Sequence, residues 1–164
     1  MILDEVKKDY VRNLLKKDKR ADGRDFLGYR EIRVQKEMIP NAEGSALASI
    51  GDTKVLAGVK FDLIAPYKDK PKEGTIIVSA EFSPIAHPEF RAGPPDENSI
   101  ELARVVDRGI RSAEAIDLKK LFIEEGKALG VFIDLQVLDH NGNLIDTAAL
   151  AAMSALACTR VPKY

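Results

Sequence analysis

The sequence predicts an α+β fold: helices packed on one face of a mainly antiparallel sheet, with elements in the order α-β-β-β-β-α-β-α. Three observations carry that prediction. Apolar residues alternate with polar ones along several short runs, which is the period of a half-buried strand. Steps of three and four organise three other segments, which is the period of a helix. Most strand signals come as a block ahead of the second helix, so the helices are expected to gather on one side of the sheet.

Taken in order, Leu3, Val6, Tyr10, Val11, Leu14 and Leu15 form one helical stripe among Lys and Asp residues. The charged, Gly-bearing stretch from Lys16 to Gly28 reads as a connection. Ile32 and Val34 alternate with charged neighbours and start a strand that ends near Pro40. Ser45 to Ile50 is a short strand of small residues, and Gly51-Asp52 is a tight turn. Val55, Ala57, Val59, Phe61 and Leu63 alternate next, with Lys54, Lys60 and Asp62 between them and Leu56, Gly58 and Ile64 on the second face. A Pro/Lys loop over 65–74 leads to a fourth strand through Ile76, Val78, Ala80 and Phe82.

The prolines between Ser83 and Pro95 mark a long loop. Asp96 or Asn98 can cap the helix that follows, which runs to about Ala115 with Ile100, Ala103, Val106, Ile110 and Ala113 on one face. Leu129, Val131, Ile133, Leu135 and Val137 make a long strand. Asn141-Gly142 turns the chain, and Asn143 is placed to cap a last helix reaching about Thr159. Asp146 sits at the positive end of that helix. It is apolar nearly all round, which predicts burial. The expected organisation is an N-terminal helical arm, 1–18, and one domain, 19–164.

Composition narrows the chemistry. The 164 residues carry 25 basic and 26 acidic side chains, for a net charge of −1, so total charge gives no argument for nucleic acid. The first 36 residues are locally basic, with Lys7, Lys8, Arg12, Lys16, Lys17, Lys19, Arg20, Arg24, Arg30, Arg33 and Lys36. Such a segment is either a solvated surface or an attraction for phosphate backbones. A single cysteine, Cys158, allows neither an internal disulfide nor a Cys-based zinc site, and it reads as a small core residue in a reducing, cytoplasmic setting. The apolar run Thr147–Cys158 is too short for a membrane span, which needs about 20 residues. The first residues lack a signal-peptide layout.

No Gly-rich nucleotide loop and no nucleophile-elbow motif occurs. Asp139-x-Asn141-x-Asn143 begins like a calcium loop, but Leu144 replaces its turn glycine and Leu150 its closing glutamate. His87, between prolines, and His140, at a hairpin tip, read as surface polar residues. More informative are Arg104, Arg108 and Arg111, which steps of four and three put on one helical face. Glu101 and Asp107 are placed to pair with Arg104 and Arg111. The row is then a salt-bridged exposed face, or a set of guanidinium forks for phosphates.

Four stretches together resemble a known family. They are Arg20-Ala-Asp-Gly-Arg24; Gly44-Ser-Ala-Leu-Ala-Ser-Ile-Gly-Asp-Thr53 with Val55-Leu56-Ala57; Gly93-Pro-Pro-Asp-Glu-Asn98 running into Ile100-Glu-Leu-Ala-Arg-Val-Val-Asp-Arg108; and Leu138-Asp-His-Asn-Gly-Asn-Leu-Ile-Asp146 with its Ala-rich helix. In this order they resemble the RNase PH family, from about residue 5 to the end. The third stretch is similar to the non-catalytic RNase PH-type ring subunit of the archaeal exosome.

The resemblance implies an RNase PH-like fold for 19–164, incomplete at its C-terminus, since family members are longer. It implies a hexameric ring, a trimer of heterodimers with a catalytic RNase PH-type exosome subunit, joined by RNA-binding cap subunits. The ring degrades single-stranded RNA from its 3′ end with inorganic phosphate, and can run backwards from nucleoside diphosphates. The phosphate is used by the partner, so no cofactor, metal or membrane is implied for this chain. Catalytic members carry Gly-Thr-Arg or Gly-Ser-Arg where this chain has Gly142-Asn143-Leu144, and their catalytic aspartate and phosphate loop lie beyond Tyr164. No catalytic residue is therefore expected. Arg104 and Arg108 match positions where the inactive subunit reaches RNA phosphates beside the partner's active site, and Arg111 joins them unless Asp107 occupies it. Inactive subunits usually have an acidic residue ahead of Gly-Pro-Pro; here Arg91 stands close by, and a solvated charge is the favoured reading over a phosphate contact. The rival expectations are an exoribonuclease acting alone and a structural ring module that does not touch RNA.

Overall fold

The alternating runs close into one sheet, drawn here from a computed structural model that describes residues 2–162. Its strands are β1 (Ile32–Lys36), β2 (Gly44–Ile50), β3 (Thr53–Ile64), β4 (Thr75–Phe82), β5 (Phe122–Glu124) and β6 (Lys127–Asp139). The spatial order is β1-β2-β3-β6-β4, with short β5 pairing on β6. The helices are α1 (Ile2–Leu15), α2 (Glu97–Ser112) and α3 (Leu144–Ala157). The α+β architecture expected from the sequence, a mainly antiparallel sheet with helices, is the one observed. Contacts divide the chain into two compact units, Met1–Glu31 and Ile32–Tyr164.

Strand connections follow from loop length and residue type. The pair Ile50↔Thr53 closes β2 onto β3 across Gly51-Asp52, and Gly51 takes the left-handed φ of 61° that such a tight turn needs. β4 and β6 are joined through α2, a crossover long enough to bring the chain back in the same direction, so among the described residues this pair alone is parallel. The antiparallel pairs are β1–β2, β2–β3, β3–β6 and β5–β6. Between α2 and β6 the chain also makes a 3₁₀ turn, Leu118–Leu121, and the three-residue β5, which the sequence reading passed over. Neither is long enough to show a period.

One face of the sheet carries the core. Val55, Val59, Val131, Ile133, Leu135 and Val137 are sealed from solvent there, each worth about 1.5–3 kcal/mol on burial. α2 lies over β4, and α3 lies over β2 and β3. Against expectation, α3 is buried on one side only. Thr147, Ala148, Ala151, Ala152 and Ala155 face the sheet, while Ile145 and Met153 are exposed. Small residues let the helix approach the strands closely, and that narrow Ala seam is all the sheet covers.

In the N-terminal unit the helical stripe is not sealed either. Val6, Tyr10, Val11 and Leu15 are exposed and Leu14 is half-buried, whereas the side chain of Leu3 lies outside the described residues. Beyond α1 the Arg20–Arg24 motif folds on itself. Arg24 Nε pairs with Asp22 at 2.7 Å and its NH1 donates to the Gly28 carbonyl, while Arg20 donates to the Phe26 carbonyl at 2.6 Å. The hydrogen bond from Arg24 holds the Asp22 carboxyl below its ordinary range. Both arginines thus shape the loop.

Candidate nucleic-acid interface

Helix α2 begins where the sequence placed its cap. Asp96 accepts from the Ser99 backbone N–H at 2.8 Å, and Ser99 Oγ returns a bond to the Asp96 carbonyl at 2.9 Å. The buried seam of the helix is Ser99, Leu102, Val106 and Ile110. Ile100, expected on that seam, is 57% exposed. The reason is rotational: Leu102 claims the sheet contact, which turns Ile100 outward onto the side that carries Arg104.

The three arginines have different fates. Arg111 is tied down: its Nε donates to both Asp107 oxygens at 3.0 and 2.9 Å, and a terminal nitrogen donates to the Ile76 carbonyl of β4 at 2.6 Å. The Asp107 pairing was legible as an i,i+4 contact; the reach to β4 was not. Arg104 and Arg108 are exposed and, among the described residues, have neither an ion pair nor a hydrogen bond. Glu101 does not take the place next to Arg104 that spacing allowed. Arg108 and Arg111 line a shallow depression of about 510 Å³ with Asp107 and Ser112. Arg104 and Asp107 line the next one, about 470 Å³, against Ile100, Ala103 and the free edge of β4. Two unpaired guanidiniums one turn apart keep a like-charge cost of about 0.2–0.5 kcal/mol that an incoming anion would relieve.

The loop ahead of α2 holds a cluster that sequence reasoning missed. His87 and His140, both expected at the surface, are half-buried, with ring centroids 5.4 Å apart. Phe90 stacks on His140 at 5.6 Å and lies 4.6 Å from Phe82. The His140 backbone N–H donates to the Ala86 carbonyl, so the cluster anchors the loop to the end of β6. No local signal joins residues so far apart in sequence. Among the described residues, His140 Nδ1 is closed off without a hydrogen-bond partner. Burial, and then the neighbouring His87, push the His140 pKa down against a smaller upward pull from Asp139. The unfolded chain therefore binds the His140 proton more tightly, and this contribution to stability is complete above the unfolded value of about 6.5 and lost as pH falls below it. A denaturation midpoint that drops on acidification through that region, and drops less in His140→Phe, is the expected result.

The turn before α3 lacks the guanidinium of the catalytic pattern. Gly142 and Asn143 both adopt left-handed backbone, and Asn143 makes no side-chain cap. Its carbonyl instead accepts from Thr147 Oγ1 at 2.9 Å. Thr53 Oγ1 ties the turn to β3, donating to the Gly142 carbonyl and accepting from the Asn141 N–H. Leu144 packs against the core. Among the described residues no group of three or more His, Cys, Asp or Glu could hold a metal ion, and no helix is long and apolar enough to cross a membrane.

These features coincide with likenesses to known proteins. Exosome complex component Rrp42 of Archaeoglobus fulgidus is 54% identical over 162 residues, covering 98% of this chain and 62% of its own length. Its counterpart in Methanosarcina mazei is 51% identical, over 98% of this chain and 61% of its own. The chain thus spans about three-fifths of the length of the curated relatives it matches. A solved structure described as the Archaeoglobus fulgidus exosome with RNA bound to the active site superposes with a TM-score of 0.94 at 55% identity, over 99% of this chain and 64% of that one. Another, described as an archaeal exosome core, gives 0.86 at 51% identity, over 98% and 61%. The family model described as 3′ exoribonuclease family, domain 1, matches residues 28–162, and the chain therefore belongs to that family, the RNase PH family.

Proposed function

We propose that this chain serves as a non-catalytic, RNA-binding and scaffold subunit of a cytoplasmic exosome ring, and that the ring degrades RNA 3′→5′ with inorganic phosphate at the active site of an RNase PH-type partner. The observation that carries the reading is the contrast within α2: Arg111 is consumed by Asp107 and Ile76, while Arg104 and Arg108 stand free side by side. Free guanidinium forks suit phosphate oxygens, and positioning an RNA end is a catalytic contribution that needs no reacting group. Leu144, packed inward at the turn where catalytic relatives carry arginine, supports the absence of an active site here. The ring partners are the catalytic RNase PH-type subunit and RNA-binding cap subunits; this chain itself takes no cofactor.

The test is a phosphorolysis assay on the full chain alone, on the RNase PH-type subunit encoded in the same genome, and on both after co-expression. Phosphate-dependent release of nucleoside diphosphates is expected from the mixture and not from this chain alone. Release by this chain alone overturns the non-catalytic reading.

A further inference from the structure

The loop 84–95 between β4 and α2 is moored to the domain at one place. From 84 to 98 only Ala86, His87 and Phe90 are withdrawn from solvent, and all three meet His140, just beyond the end of β6. The His140 backbone N–H donates to the Ala86 carbonyl at 3.0 Å. Its ring lies 5.4 Å from that of His87 and stacks on Phe90 at 5.6 Å. His87 and Phe90 are themselves 5.3 Å apart, and the Phe90 N–H donates to the His87 carbonyl at 3.0 Å. The two ends of the loop are fixed independently of this cluster. Ser83 donates its N–H to the Val137 carbonyl and accepts from Gln136 Nε2 at 2.6 Å, while Asp96 is bound into the cap of α2.

Both imidazoles are built into the cluster as neutral rings. His87 Nδ1 accepts from the Glu89 backbone N–H at 3.3 Å, a bond that a proton on that nitrogen would remove. His140 Nδ1 is sealed from solvent with no acceptor among the described residues, so the N–H that the cation must carry there would be a buried charged donor without a partner. The charged groups on the surrounding elements are Glu89 and Arg91 on the loop, Asp139 at the end of β6, Asp52 and Lys54 at the start of β3, Glu81 on β4 and Asp146 in the first turn of α3. Of these only Asp139 favours a charge on His140, and Lys54 already holds its carboxylate at 3.1 Å. Asp52 accepts from Asn141 Nδ2, and Arg91 donates to the Pro88 and Phe90 carbonyls.

We propose that His87 and His140 form an acid-released latch: with both rings neutral the loop 84–95 is held on the end of β6, and a proton taken up by His140 frees the loop while the sheet and α2 stay folded. Opening is confined to the loop because α2 has its own anchors, the buried seam on the sheet and the Arg111 bond to the Ile76 carbonyl. The open state binds the proton more tightly than the closed one, so the latch is fully closed above the ordinary histidine value of about 6.5 and loosens as pH falls below it. The device does not depend on whether the chain binds RNA.

The experiment is amide hydrogen exchange on the full chain at about pH 7.5 and about pH 5.5, corrected for the intrinsic pH dependence of exchange. Protection of the His140 and Phe90 amides should fall about three- to tenfold at the lower pH, the range that one proton linked to opening allows. The amides of Val131 and Ile133 in the middle of β6 should keep their protection. His140→Phe retains a ring against Phe90 but no proton site, so its loop amides should be equally protected at both pH values. An NMR titration of the imidazole rings in the unaltered chain gives a second readout, in which the midpoint of loop opening must follow the His140 ring. Equal protection of the loop amides at both pH values in the unaltered chain overturns the latch. Parallel loss at Val131 and Ile133 overturns it by showing general acid unfolding. A pH response that persists in His140→Phe, or an opening midpoint that does not follow the His140 ring, also overturns it.

Discussion

Arg104→Glu combined with Arg108→Glu is expected to lower RNA turnover by the assembled ring at least about 100-fold while the two chains still co-purify. A hydrogen bond to a charged group contributes about 1.5–3 kcal/mol, so losing two guanidinium–phosphate contacts removes roughly 3–6 kcal/mol. Both side chains are exposed and contribute nothing to the buried seam of α2, so the fold has no reason to change. A second readout separates a phosphate role from a merely structural one. Each contact with single-stranded nucleic acid contributes about 0.7 to the slope of log affinity against log salt, so the double variant should flatten that slope by about 1.4. Arg111→Glu would break Asp107 and Ile76 contacts as well, and is the less informative change. Turnover and salt slope equal to wild type would remove Arg104 and Arg108 from the site.

The second large effect is on stability. Gly44→Ala is expected to cost about 3 kcal/mol or more and to lower the melting temperature by roughly 6–12 °C. The last turn of α3 rests directly on this glycine. An added methyl would collide with Thr159 Oγ1, lie 2.6 Å from the Ala155 carbonyl and 2.8 Å from Thr159 Cα. These are mostly backbone atoms, fixed in turn by the Arg160 N–H on the Glu43 carbonyl and by Cys158 Sγ against the Ser45 carbonyl. Gly58→Ala in the neighbouring strand is the control, because its methyl would meet only Ile39 Cδ1 at 3.7 Å. A melting temperature for Gly44→Ala within about 2 °C of wild type would show that α3 can lift away without cost.

How much of this was written in the sequence depends on the range of the interaction. Asp96 as a cap, Asp107 beside Arg111 and Gly51 in its turn all depend on neighbours within four residues, and each was readable. The strand alternation through Val55 to Leu63 and Leu129 to Val137 was readable because one face is buried and the period is two. Contacts made only after folding left no such trace. Arg111 reaches Ile76 across 35 positions, and His87 meets His140 only because β6 ends beside the loop. The rotation of α2 was misjudged at Ile100 because apolar residues fill more of its circumference than the sheet can cover. In α3 the same excess suggested burial all round, although only the alanine side meets the strands. The assignment of Arg104 and Arg108 to phosphates came from resemblance, since pattern alone allowed a salt-bridged face equally well.

The bond from Arg111 to the Ile76 carbonyl fixes the roll of α2 about its own axis. A slip of one residue position would swing its side chains through about 100°. With that rotation locked, Arg104 and Arg108 leave the helix at a set bearing. In the proposed function, a phosphate chain held by the two arginines would be coupled to an anchor at the sheet margin that it never touches.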